Sequence, residues 1–188
     1  SAVWNWYSVN TIIQHNQAIG IRGILDSHGI HVDHHNENTF IQYNYMEDCE
    51  GGFVEILGDN ETAVYRFNIS VNDGWRENPN WVNSNHTIWL SNTIGGEAGH
   101  ESNNSFIYNN TVVVNRSSNP YRTAIDIRAN NTRIFNNIFY SINGSKIGGK
   151  QVRVEDDNLL VTNNLFHGNV DTRFKDLDEN GIYGDPSF

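Results

Sequence analysis

Cys49 is the only cysteine in the chain, so no internal disulfide can form and cysteine usage does not fix the redox compartment. Proline is nearly as scarce, at three residues. There is no run of about 18 apolar residues for a membrane span and no signal-peptide pattern at the start. Positive charge is short as well: 12 Lys+Arg stand against 22 Asp+Glu, a formal net charge of −10. That balance argues against unassisted binding of nucleic acid or an anionic membrane, since both need a basic face. A neutral partner, a cation, or a polyanion bridged by calcium stays compatible with it. The chain opens directly on Ser-Ala-Val-Trp, and the expectation is that a targeting segment or further coils precede it. What the chain does have is asparagine, glycine, and β-branched and aromatic residues, the composition of strands joined by turns. Its 188 residues suit one domain, 1–188.

The chain repeats itself. N-T-I-I-Q-H-N (10–16), N-T-F-I-Q-Y-N (38–44), T-A-V-Y-R-F-N (62–68), N-S-F-I-Y-N-N (104–110), N-T-R-I-F-N-N (131–137) and N-L-L-V-T-N-N (158–164) share one template, a short strand closed by an Asn. The closing residues Asn16, Asn44, Asn68, Asn110, Asn137 and Asn164 are spaced by 28, 24, 42, 27 and 27. The long step contains residues 73–85, a polar stretch with a proline and two tryptophans that fits no strand and is read as an inserted loop. A second strand precedes most of the Asn strands: I-H-V-D (30–33), F-V-E-I-L (53–57), T-I-W-L-S (87–91), A-I-D-I-R (124–128) and V-R-V-E (152–155). Two or three short strands per repeat, with no amphipathic helix between them, predict an all-β solenoid of about six to seven coils, each strand stacking on its copy one coil away. An Asn repeated at one corner tolerates left-handed backbone angles and can hydrogen-bond up the stack. A β-sandwich also has short strands, but it demands no fixed Asn register.

The series D-x-x-G-I-H-V-D, N-x-x-I-Q-Y-N-Y, E-G-G-F, Y-N-N-T-V, N-N-I-F-Y and the closing G-x-x-G-D-P-x-F resembles the right-handed parallel β-helix proteins of the pectate-lyase-like superfamily. The resemblance runs from Ser8 to Phe188 and implies that fold. It does not imply one activity, because the superfamily holds lyases, hydrolases, epimerases and tailspikes. The start lacks the cap that a solenoid needs, so the resemblance suggests the C-terminal part of a longer helix, with upstream coils as a partner.

Strand alternation puts Ile30 and Val32 inside with Val54 and Ile56, and puts Asp33 and Glu55 on the other face. If 30–33 and 53–57 are successive rungs in that register, the two carboxylates stand roughly 5 Å apart. Retaining glycosidases hold a nucleophile and an acid/base at that separation, which makes Asp33 and Glu55 the candidate catalytic pair. The I-H-V-D and F-V-E contexts are similar to the β-helix xylosidases of glycoside hydrolase family 120, where the resemblance implies Asp33 as nucleophile and Glu55 as acid/base. Outward positions further along, with His31, form a strip of Trp89, Asp126, Arg128 and Arg153 suited to a sugar chain, the indole stacking on a pyranose and the charges bonding hydroxyls or carboxylates. Water-facing polarity accounts for the same strip without a ligand.

Histidines 28, 31, 34 and 35 cluster beside Asp26 and Asp33. A zinc site needs three or four such ligands converging, and His28, His34 and His35 lie in turns whose direction cannot be read. D-L-D-E-N-G (176–181) matches half of a calcium loop through Asp176, Asp178 and Asn180, although Ser187 stands where the loop's closing Glu belongs. The expectation is a secreted or periplasmic carbohydrate-active enzyme with a polysaccharide or oligosaccharide substrate. Retaining hydrolysis needs no cofactor. A calcium-dependent lyase built on Arg128, Arg153, Asp126 and Glu155, or a non-catalytic glycan-binding solenoid, are the alternatives.

Overall fold

The computed structural model of the chain describes residues 1–76, 85–116 and 122–187. Most of the stretch read as an inserted loop therefore lies outside the described residues. The chain winds about six turns of a parallel β-helix with three strand faces, right-handed as the motifs imply. The first face stacks Val3–Asn5, Ile30–Val32, Gly52–Ile56, His86–Leu90, Arg122–Asn130 and Lys146–Glu155. The second stacks Val9–Gln14, Glu37–Gln42, Glu61–Arg66, Ser102–Tyr108, Arg133–Phe135 and Leu160–Thr162. The third has seven strands, beginning with Gln17–Ile19 and ending with Leu165–Gly168 and Ile182–Tyr183. Among the described residues every pairing is parallel apart from the hairpin of Thr93–Ile94 and Glu97–Ala98.

Alternation decides what fills the inside. On the first face Ile88 and Ile125 stack on Val54, and Leu90 and Ile127 stack on Ile56, all fully buried. Phe139 and Phe166 do the same from the third face. Near the end the single helical turn Thr172–Lys175, capped by Asp171, drives Phe174 against both of those rings with no exposed surface.

The six predicted asparagines form one column at the corner between the second and third faces. Each donates its backbone N–H to the Oδ1 of the next, from Asn16 to Asn44 and on through Asn68, Asn110 and Asn137 to Asn164, at 2.9 to 3.0 Å. The side-chain amide donates to the same oxygen, at 2.9 to 3.1 Å. A second hydrogen of the amide reaches a carbonyl one coil back, as from Asn110 to Tyr65 at 2.9 Å. Left-handed backbone falls on the residue before each Asn rather than on the Asn itself: His15, Tyr43, Phe67, Asn109, Asn136 and Asn163 all have φ between 53° and 58°. His15, Tyr43 and Phe67 carry that strain with stacked rings. A shorter column of Asn36, Asn60 and Ser102 marks the corner between the first and second faces.

Asp178 takes the next place after Asn164. Its oxygens accept from the backbone of Asn163, Asn164 and Asn180 and from the Asn164 side chain, at 2.8 to 3.1 Å. Asp176 ends the short helix, and the Asn180 amide donates to Thr162. The partial calcium-loop match at Asp176, Asp178 and Asn180 thus coincides with the terminus of the column, where the central carboxylate accepts from four donors.

Candidate functional site

The site sits on the outer side of the first face. Trp4 pairs with His31, Trp89 with Glu55, Asp126 with Trp89 and Arg153 with Asp126, so these side chains share one outward column. The register across the first gap differs from the expected one. Val32 pairs with Ile56, an offset of 24 residues, which sets His31 across from Glu55 and Asp33 level with Leu57. The expected side-by-side Asp33–Glu55 pair is corrected accordingly: the step is 24 residues rather than 22, and alternation, which repeats every two residues, puts the same side chains inward at either value.

Both glycines are there for a close approach. A Cβ on Gly51 would stand 1.9 Å from the Asp26 carbonyl oxygen, and one on Gly52 would stand 1.9 Å from that of His86. The segment before Ile30 therefore lies flat on the sheet, held by Gly51 N–H donating to the Ser27 carbonyl at 2.9 Å. It covers the top of the column. His28 and Glu55 have no exposed surface, and His31 keeps 3 %. Asp126 is also buried, Trp89 is half-buried and Arg153 is exposed.

Glu55 is clamped between two imidazoles. His28 Nδ1 lies 2.7 Å and His31 Nδ1 3.1 Å from Glu55 Oε2, both poorly aligned for a hydrogen bond. The other nitrogen of His31 faces Asp33 Oδ2 at 3.8 Å. One ring thus stands between the two carboxylates. Burial pushes Glu55 up, but His28 and His31 outweigh it and hold the carboxyl well below the usual range. Burial alone would lower His31, yet Asp33 and Glu55 raise it to about 9. For Asp33, burial is overcome by the His31 ring and by the His34 N–H, which donates to Oδ1 at 2.8 Å, and its carboxyl is lowered. Asp26 is shifted the opposite way, raised by burial and then by Glu55.

Two adjoining hollows open over this end of the face, of about 350 and 790 Å³. Trp4, Asp26 and Asp33 line both, His31 the first, Trp6 and His34 the second. Asp33 keeps part of its side chain open, and Trp4 and Trp6 are about half exposed. The remaining predicted residues sit away from these hollows. One face of Trp89 is taken by the His86 ring, stacked at 4.9 Å, and burial together with His28 lowers His86 to about 3. Arg128 bonds Asp126 and Asn92 at 3.2 and 3.0 Å, and Arg153 bonds Glu155 at 2.6 Å.

The described part of the long step also reaches the site. Arg76 donates to the Asp26 carbonyl at 3.3 Å, and Trp75 is sandwiched between the guanidiniums of Arg22 and Arg116 at 4.4 Å each. Asp26 and His28 were visible in the sequence as residue types, but their direction was not. The one signal that gives it is the Gly51–Gly52 pair, which marks where another backbone must press in. Comparison of the chain with protein families, curated proteins and solved structures finds no match.

Proposed function

We propose that the protein is a carbohydrate-active enzyme, a glycoside hydrolase that acts on a polysaccharide or oligosaccharide lying in the hollows over the first two coils. The observation that carries this reading is Asp33, a partly open carboxylate that lines one hollow together with two exposed indoles, Trp4 and Trp6. Indoles beside a carboxylate suit a pyranose, whose apolar face packs on the ring while its hydroxyls meet polar groups. Asp33 is the carboxylate offered to the glycosidic bond or to the attacking water. His34, with Nε2 at 3.5 Å from Asp33 Oδ1, stands beside it to carry a proton. Glu55 is enclosed, so its role is to hold His31 rather than to touch the sugar. Retention through a side-by-side carboxyl pair is therefore not favoured. The motif resemblance to pectate-lyase-like β-helices supports a glycan substrate and a secreted or periplasmic setting.

A lyase has less support, because Arg128 and Arg153 are each engaged by a neighbouring carboxylate. The test is incubation with a panel of plant and microbial polysaccharides, reading reducing ends and ultraviolet absorbance together. New reducing ends without absorbance, lost in Asp33→Asn, are the expected result. Absorbing unsaturated products would establish the lyase instead, and glycan binding without cleavage would establish a binding module.

A further inference from the structure

We propose that Asp26, His31 and Glu55 form a binding site for a borderline divalent cation, Zn²⁺ or a metal of its class. One ligand atom from each lies within 4.8 Å of the other two. A modest inward turn of the side chains brings such a triangle around one ion, with metal–ligand bonds of about 2.0–2.2 Å. The surroundings are those of a ligand set. His31 turns Nδ1 towards Glu55, and Asp33 faces its far nitrogen, as outer carboxylates orient metal-bound imidazoles. His28 approaches the Glu55 oxygen from the other side. The hydroxyl of Ser1 also reaches His31 Nδ1, at 2.5 Å, an oxygen that a metal would displace.

The second observation is buried polar atoms whose charged neighbours are close but give them no aligned hydrogen bond. Both oxygens of Glu55, both ring nitrogens of His28 and Nε2 of His31 find no aligned hydrogen-bond partner among the described residues, although His28 and Glu55 are wholly enclosed. Leaving buried polar atoms in that condition is costly, and a cation satisfies several of them at once. Three carboxylates, Asp26, Asp33 and Glu55, supply the negative field. An imidazole in the set argues against calcium, which takes six to eight oxygens, and suits zinc and its neighbours. The hollow lined by Asp26 and His31 leaves the remaining coordination position to water or a ligand oxygen. This inference concerns cation binding and does not rest on the glycan reading.

The chain is stripped with a chelator and titrated with Zn²⁺ by calorimetry, with metal content measured after dialysis. One Zn²⁺ per chain is expected, with affinity at least tenfold weaker in Asp26→Asn and in His31→Gln. Asp26 is half-buried in a loop, so Asp26→Asn should keep the metal-free melting temperature and carry the test even if Glu55→Gln does not fold. His100→Asn, which removes a ring from the separate and more exposed His35–Asp59–His100 group, should bind as tightly as the parent. Absence of stoichiometric binding, affinity unchanged in Asp26→Asn, loss in His100→Asn instead, or a preference for Ca²⁺ over Zn²⁺ would overturn the assignment.

Discussion

Asp33 and Glu55 should answer substitution in opposite ways. Glu55→Gln removes the charge that faces both His28 and His31 and leaves a buried group uncompensated, a change that costs about 3–5 kcal/mol when one member of a buried pair is lost. Thermal melting is expected to show that loss directly. Asp33→Asn sits at the edge of the hollows and keeps an acceptor for the His34 N–H, so it should cost clearly less, about 1 kcal/mol, while turnover on a responsive glycan falls at least a hundredfold. Equal melting temperatures for the two variants would contradict this division. A third carboxyl reports on pH. Asp73 is buried and accepts from Cys49 N–H and Ser70 Oγ at 2.8 and 2.6 Å, and burial raises it from 3.8 to about 7. The folded protein thus keeps a proton that the unfolded chain gives up at lower pH, so stability falls as pH rises between those two values. Melting at pH 5 and pH 8 should differ in that direction, and Asp73→Asn should reduce the difference.

Among the elements, the Asn column and the terminal plug are the parts to break. Asn110→Ala removes the acceptor for two donors of Asn68 and the donor to the Tyr65 carbonyl; at about 1–3 kcal/mol for each buried group left unsatisfied, denaturant unfolding should register a loss of about 3 kcal/mol or more. Phe174→Ala opens the end of the core beside Phe139 and Phe166 and should cost about 3–5 kcal/mol. The column was legible because one residue type recurs at a corner, where a side chain has a single task. The site was less so. Its register was assumed from 22-residue alternation, although the step from Asn44 to Asn68 already reads 24, the same offset that pairs Val32 with Ile56. Periodicity tells which face a strand residue takes, and that held for Ile30, Val32, Val54 and Ile56. It says nothing of what another segment lays over that face, which is why Glu55 reads as an open catalytic carboxylate and Trp89 and Asp126 as part of an open sugar-binding strip. The turn before Ile30, which covers Glu55, has no period to read.

For the whole molecule, the column carries a rule about length. Every Asn in it gives hydrogens to the coil ahead and, from Asn44 on, offers oxygen to the coil behind, so the joints are interchangeable, whereas the Asp178 carboxylate receives hydrogens from four donors and has none to pass on. An acid at that place is a full stop. Its amide counterpart, Asp178→Asn, would turn an NH₂ towards groups that are themselves donors, and should destabilise the last coil. Lengthening the protein should be tolerated far better: a second copy of residues 138–164 spliced after Asn164 preserves the 27-residue step, meets the same partners above and below, and leaves the terminator where it is. Such a chain is expected to fold with one coil more and to melt no lower than its parent, making the number of coils a quantity that can drift by whole units while the Asp178 joint stays the same.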